Sequence, residues 1–397
     1  MDVPFGTMSV TESSKKLIAQ ILDSGRLTSG KYVREFEQRF AELIGTREAV
    51  AVSTGTDADT LALAVIYDYG AQRGDEVIVP ALSFVATGNA VLHAGFSPVF
   101  VDVEMDSFNI DPARIEAAIS ERTVAIMPVH LMGKPAEMDE INRIAGEHDL
   151  FVIEDAAEAH CSKYKGRNIG TLGDMAAYST YAAHMISTIE GGIITTNDMR
   201  YAEILRSLRS HGRACNCADC VMNAGATYCA KRFVDGKDIR FNFERIGYSC
   251  KMNELEAAVG IGNLEAWPQH LASRKKNLQY LLDAFKQFAP DLMTFRIESY
   301  EEIGPHAFPI IVGPTAKFSR DQLVSHLSAH RIDSRHMFLS MPTQCPGFAF
   351  LGYKLGQFTV SEYIGEHGLH IGIHQDLNLS HMEYIVGTLA EFIKKHA

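Results

Sequence analysis

The stretch from Phe151 to Asp198 constrains the fold most. An apolar run, residues 150 to 153, ends abruptly on Glu154 and Asp155. A short apolar run closed by charge reads as a buried strand whose C-terminal end faces a crevice. A second short strand brings Ser179, with His184 just beyond it, and Gly191-Gly192 and Ile193-Ile194 complete the unit. An acid, a hydroxyl and an imidazole in that order can converge on one ligand.

The same alternation runs upstream. Residues 49–52, 98–101 and 124–128 read as strands and 74–80 as a turn and strand, and 14–23, 31–44, 57–69, 112–120 and 138–148 carry helical apolar spacing. Strands alternating with helices predict an α/β fold with a mostly parallel sheet covered on both faces. Downstream, the pattern predicts a helix over 200–209, a cysteine-rich loop over 212–233, a strand within 241–248 and a helix over 254–267. A join near Pro268 to Arg274 separates a large domain, 1–270, from a small α+β domain, 271–397. The small domain opens on a helix at 276–288 and continues with a strand at 307–312 and helices at 320–330 and 380–395.

Composition excludes some functions. With 46% hydrophobic residues in 397, the chain can bury a substantial core. A formal net charge of −12 argues against a general nucleic-acid surface, which needs clustered Lys and Arg. No apolar run approaches the roughly 20 residues of a membrane helix. The first residues lack the charged and apolar regions of a signal peptide, so a cytoplasmic protein is expected. There, seven cysteines read as free thiols or metal ligands rather than disulfides.

Ser53-Thr54-Gly55-Thr56 joins a strand to a helix start. Free backbone N–H groups and the helix dipole favour an anion such as phosphate there. An ordinary Ser/Thr helix cap is the competing reading.

In order and kind, these motifs resemble the DegT/DnrJ/EryC1/StrS sugar aminotransferase family, fold-type I pyridoxal phosphate enzymes of the aspartate aminotransferase-like class. The resemblance runs from about Ile18 to the C-terminal helix. It implies that Gly55 and Thr56 hold the cofactor phosphate, Phe84 stacks on the pyridine ring and Asp155 pairs with the ring nitrogen. Glu158 stands where a Gln usually meets the ring hydroxyl. Ser179 matches a Ser that precedes the lysine carrying the cofactor, but the lysine position is His184. A His there resembles the nucleotide-sugar 3-dehydratase branch, which uses pyridoxamine 5'-phosphate (PMP) to deoxygenate a sugar rather than aminate it. Imidazole forms no stable link to the aldehyde, yet with an ordinary pKa near 6.5 it carries protons well. The implied reaction removes the C3 hydroxyl of a nucleotide-linked 4-keto-6-deoxyhexose, with His184 as acid and base. It belongs to deoxysugar biosynthesis, such as that of lipopolysaccharide O-antigens. The competing readings are an aminotransferase that has exchanged Lys for His, and a non-catalytic homologue.

The resemblance bears on further residues. Cys215, Cys217 and Cys229 match ligands of a [2Fe–2S] cluster in one dehydrase branch, and Cys220 lies among them. The branch's remaining ligand falls at Ala157, where Cys220 or Cys161 is the substitute. A cluster implies a reductase as electron donor; without one, glutamate re-aminates the cofactor. Ser249 replaces an Asn that reaches the phosphate across a homodimer interface, with Lys251 following. Arg335 matches an Arg near the sugar. His306, His370 and His374 carry no assigned role and read as structural.

Overall fold

The computed structural model describes residues 1–223 and 225–396. Seven strands form the main sheet: β1 (Glu48–Val52), β2 (Glu76–Pro80), β3 (Ser97–Val101), β4 (Thr123–Ile126), β5 (Phe151–Asp155), β6 (Met175–Ser179) and β7 (Gly192–Thr196). Their spatial order is β1-β7-β6-β5-β4-β2-β3, and only β7 runs against the rest. The expected mostly parallel sheet is therefore present.

Helices cover both faces. On one lie α1 (Glu12–Ser24), α2 (Lys31–Ile44) and, further along the chain, α6 (Met138–His148) and the start of α8 (Glu254–Phe285). On the other lie α3 (Gly55–Val65), α4 (Ala86–Ala94) and α7 (Met199–Leu208), while α5 (Pro112–Ala118) sits beside β3. In β5, Val152 enters the first core and Ile153 the second. Strand alternation then sends Glu154 to the first side and Asp155 to the second. Those two acids meet different fates, described below.

A second sheet of β8 (Leu292–Met293), β9 (Ala307–Val312), β10 (Ser334–His336) and β11 (Gly368–Gly372) is antiparallel, in the order β8-β9-β11-β10. With α9 (Arg320–Ala329), α10 (Thr359–His367) and α11 (Leu379–His396) it builds a third core, joined by Val3 and Phe5 from the N-terminus and by residues that follow main-sheet strands, among them Leu82, Val103 and Leu131. We propose that the two sheets mark the two domains, 1–270 and 271–397.

Two expectations need correction. The helices expected at 254–267 and 276–288 are one continuous helix, α8, which runs through Pro268 and ends in a short 3₁₀ turn. Pro268 sits on the exposed face, where water can satisfy the carbonyl that its missing N–H leaves unbonded. Packing holds the rest: Arg274 is fully buried and donates to the carbonyls of Pro305 and His306 at 3.0 and 3.1 Å. Residues 241–248 form no strand; their ladder pairing is limited to one isolated bridge, Arg213 with Phe243, and Ser249 just beyond bridges Ser210.

The start of α8 is fastened to α2 by Glu254. Its buried carboxylate accepts the N–H groups of Gly30 (2.9 Å), Tyr32 (3.2 Å) and Val33 (2.9 Å). Glu254→Ala strands these donors at the N-terminus of α2, and a stability loss of about 3 kcal/mol is expected in denaturant unfolding. A loss under about 0.5 kcal/mol would contradict this reading.

Candidate active site

Parallel strands present their C-terminal ends along one edge, where crevices form in α/β sheets. Here β1 leads into Gly55, β2 into Phe84, β5 ends on Asp155 and β6 on Ser179. A cavity of about 480 Å³ opens at that edge, lined by all of these together with Thr56, Glu158, His184 and Arg335. Every expected cofactor residue except Ser249 lines it. Ser249 is exposed and lies outside it, as does Lys251, whose backbone bridges Val52.

Thr54 caps α3, its side chain accepting the Asp57 N–H at 3.0 Å. Gly55 and Thr56 stand in the first turn, where N–H groups have no acceptor within the helix. The backbone here is tightly seated. A Cβ on Gly55 would lie 2.7 Å from the Ser179 Cβ, and one on Gly192 would overlap the Thr54 carbonyl. The cradle is thus open to a phosphate on one side and closed by β6 and β7 on the other. Phe84 is 57% exposed, its ring 5.6 Å from that of Phe338 across the opening. A flat apolar face is thereby offered to a planar ligand.

Of the two acids ending β5, Glu154 is consumed by the fold. It sits 3.1 Å from the buried His130 ring and accepts the N–H groups of Gly170, Leu172 and Gly173; burial works to raise its pKa, but His130 and the Gly170 and Gly173 N–H groups hold it below the usual carboxylate range. Asp155 is left for a ligand. Thr87 donates to Oδ2 at 2.7 Å and the Ala157 N–H to Oδ1 at 3.2 Å, yet burial still pushes the carboxyl up. Among the described residues no ion pair engages Asp155, and a protonated pyridine nitrogen would supply its counter-charge. The cradle, the aromatic face and the uncompensated acid together fit a pyridoxal-type cofactor.

His184 is held by the loop 181–190, its N–H bonded to the Tyr181 carbonyl at 2.9 Å. Its ring lies 5.8 Å from that of His160 and 4.8 Å from that of His306. Burial, with His160 and Arg274 nearby, pushes its pKa well below the ordinary imidazole value, so the ring is neutral and ready to accept a proton. His306, expected to be structural, instead lines the cavity, with Nε2 3.6 Å from Glu158 Oε1. His370 lines it too, whereas His374 stays structural, with Nε2 3.1 Å from the Pro4 carbonyl oxygen. Sequence reasoning missed His306, Thr87 and Asp59, all of which line the cavity, and His160, buried behind His184. The Arg335 guanidinium stacks over Phe5 at 4.0 Å, at the side of the second sheet.

Glu158 accepts the Met132 N–H at 2.7 Å, but burial pushes its carboxyl up to about 7. The folded protein thus keeps this proton to a higher pH than the unfolded chain, whose ordinary value is 4.5. The resulting stabilisation is full below pH 4.5 and is lost as the pH rises through about 7. Glu158→Gln removes the titration. The unfolding free energy of the cofactor-free variant, followed by denaturant titration, should therefore gain on wild type between pH 5 and 8, by on the order of 2 kcal/mol. A gap independent of pH would count against a buried, titrating Glu158.

The expected iron–sulfur set is not supported. All four candidate cysteines are free thiols, and among the described residues no group of three or more His, Cys, Asp or Glu is arranged to hold a metal ion. Cys215 is pushed up by burial and by the neighbouring Cys217, Cys220 and Cys229, so the thiols are gathered, but not as a ligand shell. Ala157 brings a methyl group to the cavity wall instead of a ligand. Burial pushes the thiol of the substitute Cys161 up to about 12.

The profile of the DegT/DnrJ/EryC1/StrS aminotransferase family matches residues 9–390. The chain belongs to this family. Its fold is accordingly that of the pyridoxal phosphate-dependent, aspartate aminotransferase-like enzymes. It is 35% identical over 383 residues to the dTDP-4-dehydro-2,6-dideoxy-D-glucose 3-dehydratase of Saccharopolyspora spinosa, covering 93% of this chain and 82% of that protein. It is 33% identical over 385 residues to the GDP-perosamine synthase of Caulobacter vibrioides, covering 96% and 95%. A solved GDP-4-keto-6-deoxymannose-3-dehydratase with a trapped PLP-glutamate geminal diamine superposes with a TM-score of 0.85 at 29% identity, covering 98% of this chain and all of that one. As a family member, the chain is an enzyme that uses a pyridoxal-type cofactor. Among the described residues no helix is long and apolar enough to cross a membrane.

Proposed function

We propose that this family member is a PMP-dependent nucleotide-sugar 3-dehydratase that removes the C3 hydroxyl of a nucleotide-linked 4-keto-6-deoxyhexose in the cytoplasm. One observation carries the reading: His184 lines the cofactor cavity, and no lysine is among the described residues that line it. Overall likeness does not choose, since relatives of both reaction types stand at similar identity. A cavity without a lysine supports deoxygenation, because the amine that returns the cofactor to its aldehyde form in a transaminase is missing from it.

When bound, the cofactor supplies an amine for the sugar ketone and an electron-withdrawing ring. Asp155 holds the proton of the ring nitrogen, and Gly55 and Thr56 bind the phosphate. Phe84 covers one ring face and Glu158 meets the ring hydroxyl. His184, neutral before the reaction, takes a proton from the methylene carbon beside the amine and returns it to the departing C3 oxygen. Arg335 faces the nucleotide-sugar. With no metal-holding cysteine set, glutamate rather than a reductase is the partner that restores the amine.

We further propose a homodimer in which Ser249 reaches the partner's phosphate site. Support comes from the exposed apolar side chains beside it, Phe241 at 68% and Ile246 at 82%. Sedimentation should give twice the chain mass.

Borohydride reduction of the protein loaded with pyridoxal phosphate, followed by mass spectrometry, tests the central point. No cofactor should remain attached to the chain. Attachment to any lysine would overturn the reading.

A further inference from the structure

Asp59 stands one turn into α3, on the wall of the cofactor cavity. It is 3% exposed, and its Oδ1 is buried without a hydrogen-bond partner. Its neighbour in sequence shows what an engaged carboxyl looks like. Asp57 accepts from the hydroxyls of Ser53 and Thr54, at 2.6 and 2.9 Å, and serves the helix cap. Asp59 serves no such structure. A buried carboxyl oxygen without a partner is unfavourable by itself.

Its surroundings indicate what offsets this. Helix α3 lies on the sheet face to which Asp155 points, and the two carboxyls feel each other: burial first, then the charge of Asp155, push Asp59 well above the ordinary range. Both oxygens of Asp155 already take one donor, from Thr87 and Ala157. Two acids in one dry wall do not both ionise, so one proton stays with the pair. The other titratable groups lining the cavity are Glu158 from the turn after β5, Tyr181, His184 and Glu190 from the loop 181–190, His306, and Arg335, His336 and His370 from the second sheet.

We propose that Asp59 is a second carboxyl at the cofactor's ring nitrogen and holds the proton which that nitrogen receives. As the cofactor seats, Asp59 gives up its proton: the O–H bond breaks and an N–H bond forms on the ring. One pyridinium then faces two carboxylates, the charge of the site is unchanged, and no proton is drawn from solvent. The second carboxylate keeps the ring protonated to a higher pH than Asp155 alone. This rests on the cofactor common to the family and not on deoxygenation, so it stands or falls separately from the 3-dehydratase reading.

The test is nitrogen-15 NMR of PMP labelled at the ring nitrogen and bound to the full chain, from pH 6 to 9. Wild type, Asp59→Asn, Asp59→Ala and Asp155→Asn are compared, each with the melting temperature of its cofactor-free form. Both Asp59 variants should lose the ring proton about one pH unit or more below wild type. Their cofactor-free forms should melt higher, because the unpaired acid is gone. Unchanged ring titration in the Asp59 variants, whatever their melting temperature, overturns the proposal and leaves Asp59 a tolerated buried acid. A ring nitrogen indifferent to Asp155→Asn as well overturns the cofactor placement, and this proposal with it.

Discussion

His184→Asn should lower formation of the 3-deoxy product by about a thousandfold while cofactor affinity changes by no more than a few-fold. The amide fills nearly the same space but neither takes nor returns a proton. The surroundings of His184 add a second expectation. Burial and the nearby His160 and Arg274 keep its pKa well below 6.5. The reaction needs the neutral ring, so the acidic limb of the rate profile should fall below pH 6.5, and the rate should not drop as the pH is lowered from 7.5 to 6.5. His184→Lys restores an amine that can capture the aldehyde. That variant should bind pyridoxal phosphate covalently under borohydride and lose deoxygenation. Full activity in His184→Asn would remove the imidazole from the mechanism.

Asp155→Asn is the other large expected effect, a loss of a hundredfold or more in kcat/KM with weakened cofactor binding. The amide keeps a partner for Thr87 but supplies no charge to a cationic ring nitrogen. Asp155 ends β5 with its neighbours already placed, Thr87 at 2.7 Å and the Ala157 N–H at 3.2 Å, so the change is electrical rather than structural. The cofactor-free variant should be no less stable than wild type, since burial already disfavours the charge on Asp155. A variant that unfolds without cofactor would point to a structural role instead.

Which parts of this site were legible in the sequence follows from how each residue gets there. Asp155, Ser179 and Gly55 sit at strand ends or helix starts, and short apolar runs closed by charge or glycine mark those points. His184 stood out because the resemblance sets a lysine there. His306 arrives from the far side of α8, held by Arg274, and no local pattern announces it. Asp59 hides inside the apolar spacing of α3, where its burial shows only once the sheet is underneath. Pro268 misled because a proline signals a helix end, yet the packing of Arg274 and the cap around Asn253 sustain α8 across it. The cysteine spacing suggested a cluster, but spacing does not fix how thiols face one another. Ser249 is exposed and away from the cavity, so only the proposed dimer would give it a place at a phosphate.

The most direct measurement is the proton and carbon NMR spectrum of the product formed from a nucleotide-linked 4-keto-6-deoxyhexose with the enzyme, PMP and glutamate. A methylene at C3, with the C4 ketone regained, is the predicted result. An amino group at C4 with the C3 hydroxyl intact would contradict the account.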